Sequence, residues 1–319
     1  MRKIVFLVTL AVSLFSTTIL DEYRKNGLEN IEKKLDKALT KTKYWEEVIS
    51  KEDIKFGYLE KYSYVLVCDK SKSQLTLYQK DKNNKFVLKN KYSAFTGKNK
   101  GDKQKEGDLR TPVGIYNLVK KLKKIDSFYG PLAFVTSYPN LYDRYRGKNG
   151  HGIWIHGLPL NQERDEYTKG CIAIDNDGLK CLEKDINFDK TILLIYETKK
   201  IKDTNIKKLS ILASNLYKWR YAWKYNDIDS YLSFYDKNFK KDDGKDFQQF
   251  KKYKTRVFKK NEKKSIIFKD INIIPYPNAK QIYQITFFED YKSDTYMYKG
   301  QKELLVKFQD NSFKIISEK

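Results

Sequence analysis

The sequence predicts a mainly β domain with short helices, followed by an α+β domain and preceded by a helical segment. Three patterns support this fold class. Residues 21–55 repeat apolar side chains at helical spacing, whereas residues 56–198 form short alternating or apolar runs that are typical of strands. From residue 207 onward, helical periodicities precede strand patterns, which is the order of an α+β domain. A chain of 319 residues is long enough for two domains.

We place the boundaries where the pattern or the composition changes. Residues 1–18 form a signal peptide or N-terminal anchor, and residues 19–55 form the helical segment. Residues 56–198 form the mainly β domain, which ends with the buried strand Thr191 to Tyr196. The polar stretch 197–206 is a linker, and residues 199–319 form the α+β domain.

The first residues predict export of the chain. Arg2 and Lys3 precede an apolar stretch from Ile4 to Phe15, which is typical of a secretory signal. The small residues Ser16 to Thr18 do not form a clean cleavage site, so an uncleaved anchor is the alternative. No other segment is apolar enough to span a bilayer.

The helical segment leaves two interpretations open. Leu28, Ile31, Leu35 and Leu39 recur three to four residues apart and form one apolar seam. This seam either packs on the main domain or pairs with a second copy to form a homodimer.

The net charge of +23 indicates either attraction to an anionic partner or a lysine-rich composition spread over solvated faces. We favour the second interpretation, because the 64 basic residues interleave with 41 acidic ones. No nucleic-acid-binding motif is present. No set of His, Cys and Asp residues has metal-ligand spacing, so we expect neither a metal nor another cofactor.

Residues 151–174 carry the chemistry, because they contain both histidines and a cysteine that directly follows a glycine. Ile153 to His156 alternates as a strand that places Trp154 and His156 on one face. Cys171 to Ile174 is a second short strand. A thiol becomes a strong nucleophile as thiolate, and a nearby imidazole can produce one.

The flanking residues are consistent with a catalytic role for this stretch. Gly157 and Gly170 free the backbone at the two strand ends, and the amides of Gly170 and Cys171 could form an oxyanion hole. The polar connection 158–169 is long enough to act as a lid. We predict Cys68 in the core, Cys181 on a helix and Cys171 as a free thiol, since a disulfide would abolish its nucleophilicity.

These blocks resemble the L,D-transpeptidase catalytic domain. The resemblance lies in Ile155-His156-Gly157, Thr168-Lys169-Gly170-Cys171-Ile172 and Arg110-Thr111-Pro112-Val113-Gly114, together with an opening hairpin at Val65 to Tyr78. It implies a mixed β-sandwich with Cys171 as nucleophile, His156 as general base and the Gly170 amide as oxyanion donor. It also implies a set of substrate-binding residues: Trp154, Gly157, Thr168, Lys169 and Ala173.

The sequence departs from the family pattern at two positions. The histidine that precedes Gly-Cys in the family is Lys169 here, and the arginine that follows Cys-Ile is Ala173. An arginine there would be a bidentate partner for a carboxylate. Because this arginine is replaced, the sequence leaves open how the substrate binds and which acceptor takes the acyl group.

The α+β domain resembles the cone of nuclear-transport-factor-2-like (NTF2-like) proteins. The resemblance rests on Trp219-x-x-x-Trp223, on Asp229-x-Tyr231-Leu232-x-x-Tyr235, and on the strand order that follows. Such cones hold a pocket, but the sequence shows no clustered acid–base set. We therefore expect a binding or positioning module.

The resemblance implies a periplasmic enzyme that acts on peptidoglycan stem peptides. With water as acceptor it would be an L,D-carboxypeptidase that trims tetrapeptides to tripeptides, as in cell-shape-determining enzymes with this two-domain layout. With an amine as acceptor it would be an L,D-transpeptidase that forms cross-links. A third hypothesis is a non-catalytic cell-wall-binding module. The sequence does not decide the preferred muropeptide, the ligand of the cone or the oligomeric state.

Overall fold

This computed structural model describes residues 2–161, 163, 165–198 and 205–319, with side chains from residue 19 onward. The side chains of the predicted signal or anchor and most of the predicted linker lie outside the described residues. Within the described part, no helix is both long and apolar enough to cross a membrane.

The N-terminal segment is helical, as predicted. It forms α1 (Arg2–Leu39), which is interrupted at Gly27 with φ 74°, and α2 (Thr42–Ile49). Trp45 and Ile49 of α2 are buried in the core of the C-terminal domain. The segment therefore packs within the chain, although Leu28 on α1 remains 69% exposed.

The catalytic-domain region is built on one curved sheet of mixed direction. The elements, together with the short β1 that precedes them, are β1 (Tyr58–Leu59), β2 (Tyr64–Asp69), β3 (Gln74–Lys80), β4 (Phe86–Ser93), β5 (Gly114–Leu122), β6 (Ala133–Thr136), α3 (Leu141–Tyr145), β7 (Trp154–His156), β8 (Ile172–Ala173), α4 (Asn176–Asp185) and β9 (Thr191–Tyr196). The strand order of the sheet is β4-β3-β2-β9-β5-β6-β7-β8, and the pairs β2–β9 and β7–β8 are parallel.

The strand β9 is central in this sheet and is buried along its whole length, as its uninterrupted apolar sequence predicts. Helix α4 begins where the sequence places a cap, because the Asp175 carboxylate accepts the Gly178 N–H at 2.6 Å. Leu179 and Leu182 of α4 are fully buried against the sheet. This packing fixes the chain that leaves β8.

The C-terminal domain has the helices-then-sheet order that the sequence predicts. Its elements are α5 (Ile206–Lys224), α6 (Ile228–Ser233), β10 (Tyr235–Lys241), α7 (Phe247–Lys259), β11 (Lys264–Pro275), β12 (Ile282–Ser293), β13 (Met297–Gln309) and β14 (Ser312–Glu318). Their sheet has the order β1-β11-β12-β13-β14-β10. Strand β1, which the sequence assigns to the catalytic domain, thus pairs with the C-terminal sheet.

The cone interior corrects one expectation, because it does contain an acid–base set. The Tyr235 hydroxyl donates to Glu318 Oε2 at 2.8 Å, and Lys302 Nζ lies 3.6 Å from Glu318 Oε1. Burial opposes ionisation of Glu318, but Lys302 and Lys254 outweigh it and lower the pKa of this carboxyl. These groups are far apart in sequence, so only the folded C-terminal domain brings them together.

The two domains meet through α3 and the start of the hairpin after β11. Asn140 Nδ2 donates to the Tyr276 hydroxyl at 2.8 Å, and the Tyr142 ring meets the Tyr276 ring edge-on at 4.6 Å. Arg144 pairs with Asp242 across the same boundary at 2.7 Å. Tyr142 and Tyr145 both pack against this interdomain cluster.

Candidate active site

The parallel pair β7–β8 brings the predicted residues together. Ile155 is opposite Ile172, and both side chains are fully buried in the core. Because neighbouring residues alternate between faces, Trp154, His156 and Cys171 project to the other side of the sheet. The cysteine comes one residue before the strand, next to Trp154.

The Cys171 thiol is held by the backbone of the segment that leads into β7. The Trp154 N–H points to Sγ at 3.4 Å, and Sγ lies 3.6 Å from the Gly152 carbonyl oxygen. All three cysteines are free, which confirms the predicted free thiol of Cys171. Cys68 is fully buried, which raises the pKa of its thiol to about 12 and makes it unreactive.

The His156 ring is oriented by a backbone carbonyl. Its Nδ1 lies 2.6 Å from the Gly157 carbonyl oxygen, and a carbonyl only accepts, so Nδ1 carries the hydrogen. Nε2 is then the basic nitrogen of the neutral ring. The Tyr129 ring meets the imidazole edge-on, with ring centroids 5.1 Å apart. It also lies against the Trp154 ring, with centroids 5.2 Å apart. The imidazole is therefore buried and fixed in one orientation.

His156 and Cys171 line the same cleft, which has a volume of about 550 Å³. Aromatic rings form part of the wall, and charged residues of both signs form the rim. The other lining residues are Phe128, Tyr129, Glu163, Asp165, Tyr167, Thr168 and Lys169. A cleft of this size, with a nucleophile and a base, can hold a short peptide and carry out acyl transfer.

The turn that presents the nucleophile is built by Thr168. Its Oγ1 donates to the Cys171 carbonyl at 2.7 Å and accepts the Gly170 N–H at 3.0 Å. Gly170 has φ 138°, and a Cβ there would lie 2.9 Å from the Arg110 carbonyl oxygen. Glycine is therefore required. The Gly170 N–H, which the resemblance makes an oxyanion donor, is engaged inside the turn.

The loop before β5 supports this turn from the other side. The Asp108 carboxylate accepts a hydrogen bond from Lys103 Nζ at 2.8 Å. It also accepts hydrogen bonds from the backbone N–H groups of Gln104, Lys105 and Arg110. Burial opposes ionisation of Asp108, but these donors outweigh it and hold its pKa well below the usual range. The loop is thus fixed in one shape, which places the Arg110 carbonyl against Gly170.

The predicted substrate-binding residues occupy different places. Lys169 is exposed at the cleft, and Trp154 is half-buried under Tyr129. Thr168 lines the cleft, although its hydroxyl is used inside the turn. Gly157 donates its N–H to the Tyr129 carbonyl at 2.9 Å. Ala173 is fully buried and pairs with Phe95, so the structure does not bring it to the cleft.

Sequence reasoning did not identify Phe128, Tyr129 or Tyr167 as lining residues. Tyr129 lies 27 positions before His156, in a stretch where many tyrosines occur. Its hydrogen bond with Gly157 follows from the pairing of β6 with β7, which no local pattern predicts. The only local signal is Asp126, which caps the turn at Ser127 to Tyr129.

Comparison with known proteins supports both domain resemblances. Residues 63–186 match the L,D-transpeptidase catalytic domain, and residues 210–319 match the Cds6 C-terminal NTF2-like domain. Among solved structures, the helical cell shape determining protein Pgp2 of Campylobacter jejuni is 37% identical, with a TM-score of 0.80. That similarity covers 88% of this chain and 99% of Pgp2. Bd1075 of Bdellovibrio bacteriovorus is 28% identical over 81% of this chain and 92% of its own, with a TM-score of 0.64.

A shorter similarity concerns YafK of Escherichia coli (strain K12), which is assigned to the L,D-transpeptidases. It is 37% identical over 79 residues, which make up 25% of this chain and 29% of YafK. The chain thus spans less than a third of that relative. The similarity to Pgp2, in contrast, extends over both domains. The chain belongs to the L,D-transpeptidase family and carries an NTF2-like domain of the Cds6 type behind its catalytic domain.

Proposed function

We propose that this protein is a peptidoglycan L,D-carboxypeptidase that removes the terminal D-Ala from stem tetrapeptides and leaves tripeptides. The observation that carries the proposal is the presence of Cys171 and a carbonyl-oriented His156 in one peptide-sized cleft. Family membership supports peptidoglycan as the substrate. The name of Pgp2 as a helical cell shape determining protein supports a role in cell shape, and the predicted export signal supports a periplasmic location.

In the proposed mechanism, Nε2 of His156 takes the thiol proton of Cys171. The thiolate attacks the carbonyl carbon of the peptide bond to D-Ala, and the carbonyl electrons move to oxygen. Because the Gly170 N–H is engaged with Thr168, we assign the oxyanion contact to the Cys171 amide. When the intermediate collapses, the imidazolium gives its proton to the nitrogen of D-Ala, which leaves as a free amino acid. A thioester remains on Cys171.

Water completes the reaction in this proposal. His156 takes a proton from water as the oxygen attacks the thioester carbonyl, and the thiol is restored when the tripeptide leaves. Lys169 supports binding of the tetrapeptide donor, because an exposed ammonium beside Cys171 suits the free carboxylate of a terminal D-Ala. The fully buried Ala173 offers no such partner.

Product analysis tests the proposal. The purified protein is incubated with a disaccharide tetrapeptide, and the products are identified by mass spectrometry. We expect disaccharide tripeptide and D-Ala, with a transient thioester on the parent protein and none on Cys171→Ala. Cross-linked dimers in place of tripeptide would instead assign L,D-transpeptidase activity. Equal trimming by Cys171→Ala would contradict the catalytic role of the cysteine and favour the cell-wall-binding module.

A further inference from the structure

The outward face of α7 differs from the other charged faces of the molecule. Its four cationic side chains border a shallow groove of about 440 Å³ together with Gln248 and Thr255, and no carboxylate lines it: Lys251, Lys252, Arg256 and Lys259. All four side chains are exposed. We call these four residues the α7 cationic face.

The composition of the helix makes this face unusual within the chain. The sequence of α7, Phe247–Lys259, contains no Asp or Glu. Helix α5 also lacks acidic residues, but Arg220 and Lys224 on it pair with Asp36 of α1 at 2.8 and 2.5 Å. Arg220 and Lys224 are therefore neutralised within the fold. On α7, the spacing of Lys252 and Arg256 places like charges one turn apart, which slightly destabilises a helix.

The face also carries an exposed aromatic ring. Tyr253 is 46% exposed and lies between the lysines in sequence, with the Arg256 guanidinium 5.9 Å from its ring centroid. The opposite side of α7 is anchored, because Phe250 and Phe258 are buried in the cone. The helix is thus a fixed support that presents cations and one amphipathic ring to the outside.

We propose that the α7 cationic face binds the surface of an anionic phospholipid membrane. Clusters of four or more Lys and Arg residues on an amphipathic helix suit anionic lipid headgroups, and long basic side chains reach them with little steric demand. Tyrosine prefers the headgroup region of a bilayer. A shallow, open groove fits a flat membrane surface better than it fits a compact ligand, which would need a deep pocket. The proposal does not depend on the activity of the cleft, because none of these residues lines it.

The test is co-sedimentation of the full chain with vesicles. One set contains neutral phosphatidylcholine alone, and the other contains about one third anionic phosphatidylglycerol. The test variant is K251Q/K252Q/R256Q/K259Q. The matched control is K82Q/K85Q/K89Q/K91Q, which removes the same charge from four exposed lysines of the catalytic domain. Circular dichroism melting checks that both variants fold, and the half-variants K251Q/K252Q and R256Q/K259Q replace the full variant if it does not.

We expect the parent to bind anionic vesicles in a salt-sensitive way and to bind neutral vesicles weakly. Each cation near the surface contributes roughly a five-fold gain in binding, so the test variant should bind at least an order of magnitude more weakly. The control variant should bind nearly as well as the parent. Equal losses in both variants would overturn the proposal in favour of bulk charge. Absence of preference for anionic vesicles would also overturn it. If binding to soluble polyphosphate is measured in parallel, a test variant that loses this binding and still binds anionic vesicles like the parent would overturn it as well.

Discussion

At the scale of single residues, the catalytic apparatus depends on short backbone contacts more than on side-chain partners. The Gly157 carbonyl orients His156, and the Trp154 amide and Gly152 carbonyl contact Cys171 Sγ. Gly157 also requires glycine, because a Cβ there would lie 2.1 Å from Asn176 Oδ1. A substitution that moves the backbone by a fraction of an ångström should therefore affect activity without removing any catalytic group.

Thr168→Val tests this idea, because valine keeps the shape of threonine and removes the hydroxyl. The two hydrogen bonds that shape the turn would be lost, at a cost of about 1–3 kcal/mol. We expect kcat for D-Ala release to fall roughly ten- to hundred-fold, with a fall in melting temperature of only a few degrees. Thr168→Ser is the matched control and should retain most activity. Unchanged kinetics in Thr168→Val would show that the turn does not depend on this hydroxyl.

The residue scale also shows what the sequence could predict. Cys171 and His156 could be identified, because the chain holds only two histidines and the period-two pattern assigns their faces. The burial of Ala173 could not be predicted, because it results from pairing with Phe95, a residue 78 positions earlier. The contact of Tyr129 with His156 could not be predicted either, because it follows from strand register.

At the scale of elements, α1 is attached to the C-terminal domain by a buried charge cluster. Asp36 is 5% exposed and contacts Arg220, Lys224 and the hydroxyl of Tyr225, the last at 2.9 Å. Burial of Asp36 would raise its pKa, but the donors on α5 and Tyr225 outweigh this effect and lower the pKa. The charged form is therefore the one that the fold stabilises.

Asp36→Asn should reduce the free energy of unfolding by about 3–5 kcal/mol, because the buried Arg220 loses this counterion and the buried Lys224 is left with the half-exposed Glu32. Asp21→Asn is the control, since Asp21 pairs with Arg24 and Lys25 on the surface, and its melting temperature should stay near that of the parent. Denaturant unfolding at pH 7 measures the effect. A small effect of Asp36→Asn would mean that α1 is not held by this cluster.

The same cluster predicts a pH dependence. The folded pKa of Asp36 is depressed, so its stabilising contribution is complete above the unfolded value of about 3.9 and is lost as the pH falls through the folded value. The stability difference between parent and Asp36→Asn should therefore shrink below about pH 4. A constant difference down to pH 2 would contradict the assignment of this carboxylate.

Elements differ in how far the sequence predicts them. Strand β9 was predicted at Thr191 to Tyr196 from its uninterrupted apolar run, and the structure places it at those residues. Strand β10, Tyr235–Lys241, was not predicted, because alternating lysines and an aspartate resemble a loop. It forms a strand because β14 lies beside it in parallel and satisfies its backbone. Tertiary pairing overrides local propensity here.

At the scale of the whole molecule, Tyr276 joins the two domains. Its ring is buried between Tyr142 and the interdomain cluster, and its hydroxyl accepts a hydrogen bond from Asn140. The cone is therefore packed against the catalytic domain. Its role as a binding or positioning module stays a prediction.

Tyr276→Ala should uncouple the domains, because it removes a large buried ring at a cost of about 3–5 kcal/mol. We expect calorimetry to show one cooperative unfolding transition for the parent and two separate transitions for the variant. Tyr296→Ala, at a position that is 60% exposed, is the control and should keep the single transition. A single transition in Tyr276→Ala would indicate that the remaining contacts suffice for coupling.

The pairing of β1 with β11 has a consequence for biogenesis. Strand β1 is completed only by β11, which is made more than 200 residues later, and α1 and α2 pack on α5, whose contact residues come about 170–190 residues later. During synthesis, the catalytic domain between them can fold first, before these flanking segments pack together. A polypeptide cut short by a premature stop would keep an unmatched strand edge and a bare apolar helix face. Proteolytic surveillance can recognise such features, so unfinished molecules of this protein should be removed rapidly.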